Sequence, residues 1–304
     1  MKHIIITLLL TLPSCNQKTF TGKIYLVGYD SQWISSEKTL NFIRQQSIPE
    51  EYMKSVRYGT ELIISEDKLV GVNDYNYGRR GSKKKFSSFS YPFNKLEIEK
   101  NTPYAIVSGQ DSKSYLGGEA PKELEIPKIN NEISFQYFGL LAKDEFPSER
   151  LKFDLHLIAP IYDSFSELYL DYSNPLKPKI IRGTESHFSK TFDEMNSSSK
   201  VTFNKTAISF NKGGLRYGFG NTGVAKWIQA PFYPRCPISR EEMKFLVSFD
   251  IDESKEQIAV DKLNFNVAKK NLGYFENLEF WISGAIYVFI NPNNNTVCYF
   301  LQTT

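Results

Sequence analysis

Between residues 133 and 302 the chain keeps returning to one pattern, runs in which apolar and polar residues alternate. The runs cover 133–141, 151–158, 167–171, 200–203, 207–210, 244–251, 280–290 and 297–302. A period of two sends successive side chains to opposite faces, which is the signature of a half-buried strand and not of a helix. Composition agrees. There are 23 Phe and 18 Tyr against only 4 Met, and such an aromatic bias suits a pleated surface better than a helix bundle. The expected fold class is α+β and predominantly antiparallel β, with a strand-rich C-terminal domain and a smaller N-terminal region of mixed α/β build.

The N-terminal region reads differently. A first strand is expected over 22–28, followed by a helix that opens after Ser36 and stops near Ser47. Pro49-Glu50-Glu51 starts a second helix, with Pro in the first turn and acids at the positive end of its dipole, and Gly59 closes it. Strands follow over 61–65, 68–72, 96–98 and 104–107, and residues 74–90 read as a loop. Residues 110–130 are polar and contain Gly117-Gly118, Pro121 and Pro127, which places a domain junction near residue 127. The expected organisation is therefore a leader over 1–14, an N-terminal region over 15–127 and a strand-rich domain over 128–304. Asn204-Lys205 and Asn294-Asn295 each lie between strand-like runs and predict tight hairpins.

The first residues carry an address. Met1-Lys2-His3 is a short basic start and 4–12 is an apolar run, which together read as a signal peptide. A helix over that run would be roughly 14 Å long, about half the ~30 Å hydrocarbon core, so it is too short to span a membrane. The run ends in Leu12-Pro13-Ser14-Cys15, which resembles the lipobox of bacterial lipoproteins. That resemblance implies cleavage before Cys15 and acylation there, holding the protein at the cell membrane or outer membrane and facing the periplasm or exterior. An ordinary secreted protein with an incidental Cys15 is the alternative. Cys236 and Cys298 then remain as an even pair that an oxidising compartment would allow to bridge, with two buried free thiols the open alternative. The cysteines and histidines are too dispersed for a zinc site, so no metal is expected.

Toward the C-terminus a set of short motifs occurs in order: Gly220-Asn221-Thr222-Gly223, Trp227-Ile228-Gln229, Pro234-Arg235-Cys236-Pro237, Met243-Lys244-Phe245-Leu246 with Phe249-Asp250, and 283–289. This series resembles the C-terminal part of YwqG-like proteins, over residues 220–304 and more loosely 128–304. The resemblance implies a strand-rich α+β domain and an immunity or interaction module. It implies no catalytic residues. Family members often carry a second Cys soon after Cys-Pro, where this chain has Ile238-Ser239.

Candidate chemistry is sparse. Gly218-Phe219-Gly220-Asn221-Thr222-Gly223 spells a dinucleotide fingerprint, but Pro231 and Pro234 follow where a helix would have to open, so the glycines read as loop glycines and no cofactor is expected. Asp154 and His156 share a strand face about 6.6–6.8 Å apart along its axis, too far for direct contact without leaning or a water. His187 lies in a polar stretch, and no nucleophile elbow accompanies either histidine. Acid pairs such as Asp144-Glu145 or Glu167 with Asp171 match a glycosidase only if about 5–10 Å separates them across a cleft. Arg79, Arg80, Lys83, Lys84 and Lys85 form a basic cluster flanked by aromatic residues. It is a candidate binding surface for an acidic partner or lipid head group, with a solvated loop the plainer reading. A net charge of +3 is too near balance for a nucleic-acid partner.

The expected function is a lipid-anchored, non-enzymatic binding protein of the immunity or interaction type, its partner a protein such as a toxin. The alternative is a carbohydrate-binding surface lipoprotein, with Trp33 or Trp227 stacking on sugar rings. A hydrolase using His156 is the third and weakest reading.

Overall fold

The computed structural model describes the backbone of four strands between residues 22 and 85, and residues 104–303 apart from 184–187, 213–217, 224, 229–231, 252–255 and 282–283. The four N-terminal strands are β1 (Gly22–Leu26), β2 (Thr60–Ser65), β3 (Lys68–Asn76) and β4 (Arg79–Lys85). They form one antiparallel sheet in sequence order. The expected loop over 74–90 is therefore corrected in part. Alternating apolar residues end near Val72, but β3 continues to Asn76 and pairs with β4, so the basic cluster is a strand. The helices expected between 36 and 59 and the strand at 96–98 lie outside the described residues.

The C-terminal region is predominantly antiparallel β, a twelve-stranded sheet that curls into a half-barrel and carries one short helix. Its first strands are β5 (Tyr104–Ser108), β6 (Tyr115–Gly118), β7 (Gln136–Leu141) and β8 (Leu155–Ala159). A two-stranded ribbon pairs β9 (Ser164–Phe165) with β12 (Phe188–Ser189). Between those two come β10 (Leu168–Asp171) and β11 (Lys179–Ile180). The remaining strands are β13 (Val201–Lys212), β14 (Gly220–Thr222), β15 (Lys244–Phe249), β16 (Val260–Leu263), β17 (Ala285–Asn291) and β18 (Thr296–Gln302). The large sheet runs β11-β10-β18-β17-β15-β14-β5-β13-β6-β7-β8, and β16 adds to β13.

The residue pattern explains the two faces. Along β17, Ile286, Val288 and Ile290 join the larger hydrophobic core while Ala285, Tyr287 and Phe289 join a second cluster on the opposite face. β18 divides the same way, with Val297 and Tyr299 on one side and Cys298 and Phe300 on the other. Every residue of β17 is buried, so the middle of the sheet is covered on both faces. Burying one such Phe, Ile or Val side chain contributes on the order of 1.5–3 kcal/mol, which holds the register firmly.

β13 organises the sheet. Its second half pairs with β5 and its first half with β6, and the strand order sets β13 between them. Residues 109–114 must therefore cross over β13. Gly109 donates to the Ala207 carbonyl at 2.9 Å, and a Cβ on it would stand 2.9 Å from the Ile208 carbonyl carbon. Only glycine lets the two backbones pass this closely. Glu145 ties the crossing down by accepting from Ser112 Oγ at 2.7 Å and from the N–H groups of Lys113 and Ser114 at 2.9 Å each.

Three further expectations change. The hairpin expected at Asn204-Lys205 is absent because β13 runs straight through, absorbing those residues in a register shift between Phe203 and Thr206. The loop expected over 218–223 contains β14, paired with both β5 and β15. A Cβ at Gly220 would lie 2.0 Å from the Ser248 carbonyl oxygen, so this glycine serves close strand approach. The junction expected near residue 127 falls between β6 and β7, which pair with each other, and β5 and β6 belong to the same sheet as the later strands. The Asn294-Asn295 turn does join two strands, with Asn291 opposite Thr296 and Asn295 at φ 56°.

Candidate functional site

Cys15, Trp33 and His187 lie outside the described residues. Arg79, Arg80, Lys83, Lys84 and Lys85 lie on β4, at one end of the four-stranded order. Charged residues there suit an edge strand, because they discourage pairing with another chain. Asp154 is exposed and accepts the Lys143 N–H at 3.0 Å. His156 is buried on β8, its Nδ1 3.5 Å from the Tyr137 hydroxyl, which bonds Tyr115 at 2.8 Å. Burial pushes the imidazole pKa down, and the nearby Asp154 charge offsets this only in part. A second hydroxyl chain runs from Tyr299 to Tyr172, and Tyr172 donates to the His156 carbonyl at 2.8 Å. These tyrosines satisfy one another inside the sheet, and burial raises the pKa of Tyr137, Tyr172 and Tyr299.

Cys236 and Cys298 are free thiols, both buried, so the bridge weighed from sequence is not formed. Their surroundings differ. Cys298 sits in β18 between strands, and burial drives its pKa well above the ordinary value. Cys236 opens a turn held by Cys236 N–H to Glu241 O and by Arg240 N–H to Cys236 O, each 2.8 Å. Burial would raise this thiol too, but the N–H groups of Ile238 and Ser239, the Ser239 hydroxyl and the Asn294 amide bring it down to about 6.

The described residues of the motif series divide between the two faces of the sheet, with Leu246, Phe249, Ile286 and Val288 in the larger core. Trp227, Cys236, Met243, Phe245, Tyr287 and Phe289 all belong to the second hydrophobic cluster. Trp227 is 0% exposed and stacks on Tyr287 at 4.8 Å, with Phe300 nearly parallel at 6.2 Å. Lys226 pairs with Asp250 at 3.2 Å, which ties the motif aspartate to the residue before Trp227. The segment around Trp227 is thus a packed strap on the sheet, and Trp227 offers no face to a sugar ring.

A small recess lies elsewhere, among residues that sequence reasoning missed. Ile161, Tyr162, Phe192, Tyr274, Glu279 and Trp281 line a cavity of about 20 Å³. Tyr162 is 5% exposed, and its hydroxyl has no hydrogen-bond partner. Burial raises the pKa of this phenol, and the charge of Glu279 raises it further. Tyr274 is 38% exposed and stands at the rim.

Three chain segments build this recess. The turn after β8 carries Ile161 and Tyr162, and the buried Asp163 carboxylate accepts from Ser134 N–H at 3.0 Å and Thr191 N–H at 3.3 Å. That second bond fixes the residue before Phe192. The short 3-10 helix Lys269–Phe275 supplies Tyr274 and Phe275, and Phe275 packs on Tyr162 at 4.7 Å. Glu194 holds the start of this helix through Asn271 Nδ2 at 2.8 Å and Ala268 N–H at 3.3 Å. Trp281 then follows with φ 60°. A left-handed backbone at a bulky residue costs about 1–2 kcal/mol, so the surrounding packing must hold it there.

No family model, curated protein or solved structure matches the chain.

The recess is thus walled largely by aromatic rings, and the Tyr162 hydroxyl in its wall is buried without a hydrogen-bond partner. Among the described residues no group of three or more His, Cys, Asp or Glu side chains could hold a metal ion, and no helix is long and apolar enough to cross a membrane. The missed residues had one signal in common: Tyr162, Phe192 and Tyr274 are aromatic residues outside the alternating runs.

Proposed function

We propose that this chain is a lipid-anchored binding protein, an interaction module of the immunity type to which the YwqG-like resemblance points. In this reading Cys15 carries the anchor, a smaller mixed α+β region follows it, and the strand-rich body faces the periplasm or exterior and meets a protein partner such as a hostile effector. The observation that carries the binding function is the Tyr162 hydroxyl, buried without a partner in an aromatic recess. An unmatched buried hydroxyl is unfavourable by about 1–3 kcal/mol, and a bound group that pairs with it removes that penalty. The packing of Trp227 inside the sheet favours a protein partner over a glycan stacked on that ring.

Expression with the intact leader tests the reading. The expected product is acylated, fractionates with membranes and protects cells against the cognate effector, and Cys15→Ser releases it and removes the protection. An intact, unacylated N-terminus recovered from the cytosol would overturn the anchored role. Protection undiminished by Trp281→Ala in a folded variant would detach binding from the recess.

A further inference from the structure

We propose that the groove between residues 125–129 and the edge strand β11 docks an extended acidic segment of a partner protein, whose carboxylates meet Lys128, Lys179 and Arg182. The inference goes beyond the reading above and uses neither the anchor nor the Tyr162 recess.

Two walls make the groove. The Glu125 N–H donates to the Leu176 carbonyl at 2.8 Å and joins them at one end, and residues 125–129 line one side of a space of about 570 Å³ while residues from 177 to 182 line the other. The lining holds four cations, Lys128, Lys177, Lys179 and Arg182, against one carboxylate, Glu125. Lys177 already pairs with that carboxylate. Lys128, Lys179 and Arg182 are exposed, and among the described residues none of the three enters an ion pair. Asp171 stands opposite Lys179 on β10, but it lies outside the lining and accepts from the Ser173 N–H and hydroxyl. A concave surface lined by one sign of charge concentrates the opposite sign, so the occupant is an anion.

The rest of the groove decides which anion. Ile126, Pro127, Ile129, Pro178 and Ile180 supply apolar lining among the cations, and an inorganic anion would use none of it. The volume also falls in the range of sites that hold an organic ligand. The backbone adds a third feature. Ile181 N–H donates to the Tyr169 carbonyl at 3.0 Å, and alternation along an antiparallel ladder then turns the N–H and carbonyl of Ile180 away from β10. β11 ends the strand order, so these groups lie on the outer edge of the sheet. Lysine and proline on such an edge deter pairing with an arbitrary strand, but the same charges favour a strand that carries acids. An extended peptide in which acidic and apolar residues alternate answers all three features.

Isothermal titration of the full-length protein at fixed ionic strength tests this, with acetyl-Glu-Val-Glu-Val-Glu-amide as the probe. The expected result is saturable binding that is weaker by roughly tenfold or more when Gln replaces each Glu, as loss of charge-assisted contacts requires. Replacing each Val by Pro keeps the charges but removes N–H donors, and should weaken binding several-fold. Lys179→Glu and Arg182→Glu should each do the same. Lys128→Glu, on the opposite wall, repeats the test should a change near β11 disturb the fold. Lys212→Glu makes an equal charge change on an exposed residue at the end of β13, outside the lining, and should leave affinity within about twofold.

Equal affinity for the Gln or Pro peptide would overturn the proposal. An equal loss in Lys212→Glu would also overturn it, because net charge alone would then account for the attraction. Inorganic phosphate displacing the peptide at equal charge concentration would make the groove a general anion patch. Phosphatidylglycerol vesicles that retain the protein through Lys179, with no peptide binding, would assign the groove to a lipid surface. Either result overturns peptide docking, and none of these outcomes touches acylation or protection, which are measured separately.

Discussion

Tyr287 holds Trp227 in two ways at once. Its ring stacks on the indole at 4.8 Å, and its hydroxyl donates to the Lys226 carbonyl at 2.6 Å while accepting the Ile228 N–H at 3.0 Å. The two backbone groups belong to the residues on either side of Trp227. One β17 side chain thus sets both the position of the strap and the tilt of its anchor. Tyr287→Phe keeps the stack but leaves a carbonyl and an N–H without this partner. The expected loss is about 1–3 kcal/mol, read as a lower urea midpoint with an unchanged slope. A loss below about 0.3 kcal/mol would mean that solvent replaces the hydroxyl freely, and the strap would then be held by stacking alone.

Gly220 offers a sharper test of strand approach. A Cβ there would meet the Ser248 carbonyl oxygen at 2.0 Å and the Phe249 Cα at 2.8 Å, both backbone atoms that cannot swing aside. Gly220→Ala must therefore move β14 away from β15, with an expected cost at or above the ~1–3 kcal/mol typical of overpacking. Gly273 has nothing within 4 Å of its Cβ position, and Gly273→Ala should stay within about 0.5 kcal/mol of the parent. Equal behaviour of the two variants in thermal unfolding would refute the assignment of β14 to the sheet.

Two groups make stability depend on pH with the same sign. Burial pushes Glu145 up, but the Lys113 and Ser114 N–H groups and the Ser112 hydroxyl outweigh it and bring the carboxyl down to about 2. Its contribution is present above the ordinary value near 4.5 and is lost as pH falls toward 2. Because the carboxylate is partly exposed, solvent screening reduces the size of that step. His156 acts higher. Its folded pKa lies below the ordinary 6.5, so the unfolded chain takes up a proton first and stability declines as pH drops below 6.5. Urea midpoints measured from pH 8 to 2 should show both declines. Glu145→Gln should flatten the lower one and His156→Gln the upper one, and a profile unchanged by either variant would remove that group from the account.

The strands were legible where the physics is local. The runs over 244–251 and 297–302 mark β15 and β18, but both faces of these strands meet a hydrophobic cluster, so the runs are more continuously apolar than a half-buried strand requires. Asn294-Asn295 announced the β17–β18 turn because Asn tolerates the positive φ that Asn295 adopts. Other features depend on partners distant in the chain. Nothing near Asn204-Lys205 says that β6 and β16 will hold β13 extended on both sides of a register shift. The three residues of β14 carry no alternation, and a glycine that usually signals a loop instead permits a strand. The recess was hidden for the same reason. Tyr162, Phe192, Tyr274 and Trp281 come from separate stretches with no shared period, and Trp281 sat inside a run read as strand, whereas β17 begins only at Ala285.

Cys236 and Cys298 make a last prediction in which burial and hydrogen bonding compete. Both sulfurs are covered by protein, and burial alone would keep both protonated at neutral pH. At Cys298 burial prevails and the thiol stays far above its ordinary range. At Cys236 the turn directs the Ile238 and Ser239 N–H groups at the sulfur, and Asn294 adds its amide at 3.3 Å. Donors fixed in place favour the thiolate over the thiol, which brings Cys236 to about 6. Ultraviolet titration of the folded protein should therefore show one thiolate forming near pH 6. Cys236→Ala should abolish that step and Cys298→Ala should leave it in place. Asn294→Ala should move the midpoint upward, since it removes one donor and leaves the turn's own N–H groups. A single step at the ordinary thiol value, or one that survives Cys236→Ala, would show that burial prevails in the turn as it does in β18.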